Sequence, residues 1–172
     1  MKKIQVTLSL DGIEQAIKEL NDYAKEVEVK TRLLVTKLMD FGADIARVKI
    51  VDLDAIDTGE LLSSVGTYFS PLLNAGYVRV TNDHAAFVEF GTGVALDKKV
   101  HPNGEYLAKA SWAYGSGETI LTTKDGRIGW YYPLDDGSWR FTEGMESRPF
   151  MYETALELQR EFPRIAREVF GQ

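Results

Sequence analysis

Apolar residues recur along the first third of the chain at alternating spacings of four and three: Ile13, Ile17, Leu20, Ala24, Val27, Leu34, Leu38, Phe41, Ile45 and Val48, with Thr31 the only polar member of the series. That is a heptad seam, and it predicts a helix over residues 12–50. Asp11 and Glu14 form a D-x-x-E pair that would cap its start. At 1.5 Å per residue such a helix is about 55 Å long, more than a compact domain of this size usually needs, so it must bend or protrude. Thr31 and Gly42 are the cheapest places to bend. The seam has two candidate partners, the rest of its own domain or a neighbouring subunit.

Before this helix, Ile4, Val6, Leu8 and Leu10 alternate with Gln5, Thr7 and Ser9, the period-two pattern of a half-buried strand. After it, Asp57-Thr58-Gly59 supplies turn chemistry. Residues 61–69 then alternate as a second strand, which Pro71 ends, and Tyr77–Thr81 can pair with it antiparallel. Residues 94–146 differ in character, being rich in Gly, Trp and Tyr, and read as an inserted β-meander arm: residues 119–123, a Lys124-Asp125-Gly126 turn, residues 127–132, and a strand around Trp139 and Phe141. A last helix starts at Pro149, a good first-turn residue, with a seam of Met151, Ala155, Leu158, Phe162, Ile165 and Val169. Pro163 interrupts that seam and predicts a kink or break. The expected fold is α+β: a small, mostly antiparallel sheet packed on a long N-terminal helix and a C-terminal helix, with the arm inserted. Residues 1–172 form one domain in this reading.

Composition narrows the function. The balance of 26 acidic against 20 basic residues argues against a protein that grips nucleic acid by neutralising phosphates. There is no cysteine, hence no disulfide framework and no thiolate metal site. No apolar run approaches the roughly 20 residues that cross a bilayer, so the expectation is a soluble protein without membrane contact.

Candidate chemistry is sparse. Asp52, Asp54, Asp57 and Glu60 are clustered, but their spacing does not match a calcium loop. His84 and His101 are the only histidines and lack companions at ligand spacing. Gly91-Thr92-Gly93 is too short and too poor in lysine for a phosphate loop, and instead lets the chain turn off Phe90. The expected catalytic, metal and cofactor sites are therefore none. Glu89 stands out, because it sits between Val88 and Phe90, and a carboxylate in apolar surroundings must find a cation or protonate. Arg148 is the expected partner, docking the last helix, and breaking such a buried pair would cost about 3 to 5 kcal/mol. Trp112, Tyr114, Trp130, Tyr131, Tyr132, Trp139 and Phe141 form an aromatic set suited to self-packing or to a protein interface.

Three segments in order, Asp57-Thr58-Gly59, Glu89-Phe90-Gly91-Thr92 and Arg148-Pro149-Phe150, resemble the neck and tail-completion proteins of long-tailed bacteriophages. The resemblance spans residues 1–93 and 145–170. It implies a structural, non-enzymatic virion subunit at the head-tail junction, assembled in the host bacterial cytoplasm. It also implies a homo-oligomeric ring, sixfold by preference, with the tail tube and head-closure proteins as partners and with no cofactor and no specific nucleic-acid binding. Acidic residues lining such a ring would let DNA slide through. Two other classes stay open: a glycoside hydrolase using Glu89 and Asp83 as acid and base, and a glycan-binding module built on the aromatic arm.

Overall fold

The computed structural model describes residues 6–56, 58–93, 100–104, 121–134 and 136–171. The expected α+β class holds, with a long N-terminal helix, a C-terminal helix and small antiparallel sheets. Helix α1 runs unbroken over Leu10–Asp52, 43 residues or about 65 Å, passing through both Thr31 and Gly42. Thr31 stays helical by donating its hydroxyl to the Val27 carbonyl at 2.8 Å. Gly42 marks a close approach: a Cβ there would meet Val78 Cγ2 at 2.8 Å and Leu158 Cδ1 at 2.9 Å.

The first predicted strand is not formed over residues 6–10. Leu10 already belongs to α1, and the cap is Ser9, whose hydroxyl accepts the Gly12 amide at 3.1 Å, so the Asp11–Glu14 cap is displaced by two residues. Thr7 folds back over Gly12 so tightly that a Cβ there would sit 1.9 Å from its Oγ1. Residues 1–5 of that strand lie outside the described residues.

After α1 comes a one-turn helix, α2 (Glu60–Ser63), where a strand was expected. Gly59 opens it at φ +85°, and the hydroxyls of Ser63 and Ser64 return to the carbonyls of Glu60 and Leu61 at 2.9 and 2.8 Å. Serines that bond local carbonyls compete with a ladder, which delays the strand. Strands β1 (Val65–Ser70) and β2 (Ala75–Val80) then form an antiparallel hairpin in register Val65↔Val80 to Ser70↔Ala75. Helix α3 (Ala85–Phe90) leads into β3 (Thr92–Gly93), which pairs with β7 (Gly144–Met145). In the arm, β4 (Leu121–Thr122), β5 (Ile128–Pro133) and β6 (Trp139–Thr142) make the expected antiparallel meander. Trp112 and Tyr114 lie outside the described residues.

Helix α4 (Phe150–Phe170) continues through Pro163, so the break expected there does not occur. Pro163 and Gln159, whose carbonyl loses its partner, are both exposed, so the missing bond buries no unpaired polar group. Ion pairs Lys49–Glu153, at 3.2 Å, and Lys37–Glu168 set α4 antiparallel to the second half of α1. The core sits between them and the hairpin: Ala43, Ala46, Ile50, Leu61, Val65, Val88 and Phe150.

The seam of α1 therefore divides. Ile45 is buried, and Leu34, Leu38 and Phe41 are half-buried. From Leu10 to Leu33, roughly 35 Å of helix, the seam residues Ile13, Ile17 and Leu20 face solvent, as do Tyr23, Val29 and Leu33. No described helix is long and apolar enough to cross a membrane.

Candidate functional site

The described residues among those carrying the sequence resemblance meet in one place. Helix α3 presents Glu89 at 6% exposure, and Gly91, at φ +78°, ends the helix and turns the chain into β3. Pairing β3 with β7 sets Gly93 opposite Gly144, both at positive φ. Thr92 Oγ1 accepts the Met145 amide at 3.2 Å, Ser147 Oγ donates to the Glu89 carbonyl at 2.7 Å, and the Arg148 amide donates to the Val88 carbonyl at 2.8 Å. The two segments, more than fifty residues apart in sequence, are stitched backbone to backbone.

The Glu89 carboxylate completes the junction. Pro149 occupies the cap position of α4 without a side chain that can accept, so the first amides of α4 need acceptors from elsewhere. Phe150 and Glu153 use the carbonyls of Arg148 and Pro149, at 2.8 and 3.0 Å. Met151 donates to Glu89 Oε2 at 2.8 Å and Tyr152 to Oε1 at 2.9 Å. A carboxylate in this place also matches the positive end of the helix dipole.

The expected Glu89–Arg148 pair is not formed. The side-chain partner of Glu89 is His101, whose Nε2 lies 3.1 Å from Oε1 inside the protein. Nδ1 of His101 accepts the Asn103 amide at 3.0 Å, which leaves the proton on Nε2 and makes His101 the donor to Glu89. The ring is held between Phe90 and Tyr152, with centroids at 4.8 and 5.5 Å. Sequence reasoning missed His101 because a lone histidine in a loop has no ligand spacing. The signal was the buried carboxylate itself, which calls for donors of any kind. Both Glu89 oxygens are engaged, whereas Asp83 is exposed on the turn before α3.

Arg148 faces elsewhere. It is half-buried, and among the described residues its side chain makes no hydrogen bond or ion pair. It lines a cleft of about 560 Å³ together with Thr58, Gly59, Thr92, Trp130 and Tyr132, so the turn after α1, the α3–β3 motif and the arm share one concavity. Asp57 lies outside the described residues. On the arm's other side Tyr131 packs edge-on to Phe141 at 5.2 Å, Arg127 stacks on Phe141 at 4.9 Å, and Trp139 is 65% exposed. Pro149 and Phe150 are buried, and Phe150 belongs to the core.

Two electrostatic shifts fall on the arm's turns. Asp125 is held below the usual carboxylate range by hydrogen bonds from Thr123, its own backbone and Arg127, and Asp136 by bonds from Ser138. Both groups are exposed and stabilise turns. Compared with known proteins, the chain matches no protein-family model, no curated protein and no solved structure.

Proposed function

We propose that this chain is a structural virion protein of the phage head-tail junction, acting in tail completion or head-tail joining through ring-forming contacts with copies of itself. One observation carries the reading most: the apolar seam of α1 continues for roughly 35 Å past the end of α4 with Ile13, Ile17 and Leu20 exposed. A continuous apolar stripe outside the core marks a surface built for contact. The motif junction supports it too, since Glu89, Thr92 and Ser147 spend their polar atoms on backbone groups and brace the body that carries the helix. A ring needs two different surfaces on each subunit, and a projecting helix at one end of the body supplies one of them.

Deleting the coding sequence from the phage tests this reading. The expected result is filled heads and separate tails in the lysate, with joining restored when the purified chain is added. Normal infectious particles from the deletion would overturn it.

A further inference from the structure

The Arg148 cleft and the N-terminal end of α1 lie at opposite ends of one helix about 65 Å long, since the cleft begins at Ala55 and Ile56, just past Asp52. Their chemistries are complementary. The cleft has an apolar floor from Leu61, Val88 and Met145 and an aromatic wall from Trp130 and Tyr132. Its half-buried guanidinium has no anion among the described residues. Glu60, the described carboxylate at its rim, is exposed and makes no ion pair with Arg148. A cation drawn partly out of water is stabilised by a carboxylate it can grip with two parallel hydrogen bonds.

The N-terminal end of α1 presents such a group. Leu8 is 99% exposed and Leu10 83%, with Ile13 exposed beside them. Between these leucines and the next turn stand Asp11 and Glu14, which make no ion pair among the described residues. Exposed large apolar side chains beside acids that make no ion pair among the described residues are what an apolar cleft would take up when its arginine likewise makes none there.

We infer that the apolar, acidic tip of α1 (Leu8, Leu10, Asp11, Glu14) of one copy docks in the Arg148 cleft of the next copy. The contact is head-to-tail, because tip and cleft occupy opposite ends of the same helix, and head-to-tail contacts propagate until the rotation closes a ring. This rests on the ring-forming reading above and assigns its two faces. Arg148 is then an interface residue and not the structural partner of Glu89.

Charge reversal in the full chain tests the contact. Sedimentation velocity of the wild-type chain over a concentration series should show reversible association. Arg148→Glu, and separately the pair Asp11→Lys with Glu14→Lys, should each weaken it on the order of tenfold or more while leaving the melting temperature unchanged. Mixing the two variants should restore assembly with the copies alternating, since each then meets the opposite charge at both of its ends. Association of Arg148→Glu equal to wild type would overturn the contact and point to pairing of α1 seams with each other. Failure of the mixture to reassemble, or a wild-type chain that stays monomeric throughout, would equally overturn it. A monomeric wild-type chain would also count against self-assembly in solution in the reading above, while the head-tail role itself is tested separately by the deletion phage. If Arg148→Glu itself fails to fold, Arg148→Gln replaces it, with the same weakening expected.

Discussion

His101 Nε2 donates to Glu89 Oε1 across 3.1 Å with both side chains buried, and the same carboxylate holds the first turn of α4. One acceptor group therefore ties together three separate stretches of chain. Glu89→Ala would leave the part-buried amides of Met151 and Tyr152 and the buried His101 ring without their acceptor. Losing the cap on the two amides costs about 1 kcal/mol, and orphaning the one buried donor, the His101 ring, about 1 to 3 kcal/mol more. A loss of roughly 3 kcal/mol is expected from urea unfolding. Glu89→Gln keeps the shape and one acceptor oxygen, and should lose about half as much. Equal stability of wild type and Glu89→Ala would show that water satisfies these donors instead.

The long helix was legible because its seam repeats over many turns, and only a helix turns such a repeat into one face. The hairpin was legible for the same kind of reason, alternation on both sides of Asn74. Short alternating stretches misled. Leu8 and Leu10 alternate with Thr7 and Ser9, yet a strand needs a partner, and Ser9 closes a helix turn instead. Leu61 and Leu62 beside Ser63 and Ser64 fit either period, and local hydroxyl bonds decided for a helical turn. At the junction the buried carboxylate could be read from its apolar neighbours, but its partners could not. Two of them are backbone amides, which leave no mark in a sequence, and the third is a histidine twelve residues away.

Glycines at positive φ divide into two kinds with different expected costs. Gly59, at φ +85°, has open space where a Cβ would go, so Gly59→Ala carries only the backbone penalty of about 1 kcal/mol. Gly144, at φ +95°, would place a Cβ 2.0 Å from the Thr92 carbonyl oxygen, in the middle of the β3–β7 pair. Gly144→Ala must push the two strands apart and should cost about 3 kcal/mol or more, strain adding to the lost ladder. Thermal melts of the two variants in parallel check the ranking. A Gly59→Ala shift as large as that of Gly144→Ala would contradict it.

Acid should loosen the seat of α4 on α1 at one identifiable place. Lys37 hydrogen-bonds Glu168 and, with its charge and that of Arg164, holds the Glu168 carboxyl below its ordinary value of 4.5. A depressed carboxyl stabilises the fold above its unfolded-state pKa, and that contribution is lost as pH falls through the folded one. The protection of the amides in the last turns of α4, their exchange rate relative to the intrinsic rate at the same pH, should therefore be high at neutral pH and fall below about pH 4, by more in the wild type than in Glu168→Gln. The same pH profile in both proteins would exclude the ion pair as the cause. Because both side chains are largely exposed, added salt should shrink the difference.

Pro163 offers a gain of stability. It lies well inside α4, where proline removes the bond to Gln159 and strains the preceding turn, yet the helix continues to Phe170 because Ile165 and Val169 are buried against the body. Packing has overridden propensity at this point. Pro163→Ala restores an amide that can reach the Gln159 carbonyl, on a face where both residues are exposed and no neighbour has to move. Helix propensity favours alanine over proline by about 3 kcal/mol, of which the more flexible unfolded chain of the variant takes back up to about 1. The expected result is a stability increase of roughly 2 kcal/mol, read from the urea midpoint at unchanged slope. A decrease would mean that α4 is bent at Pro163 in a way its packing on α1 requires.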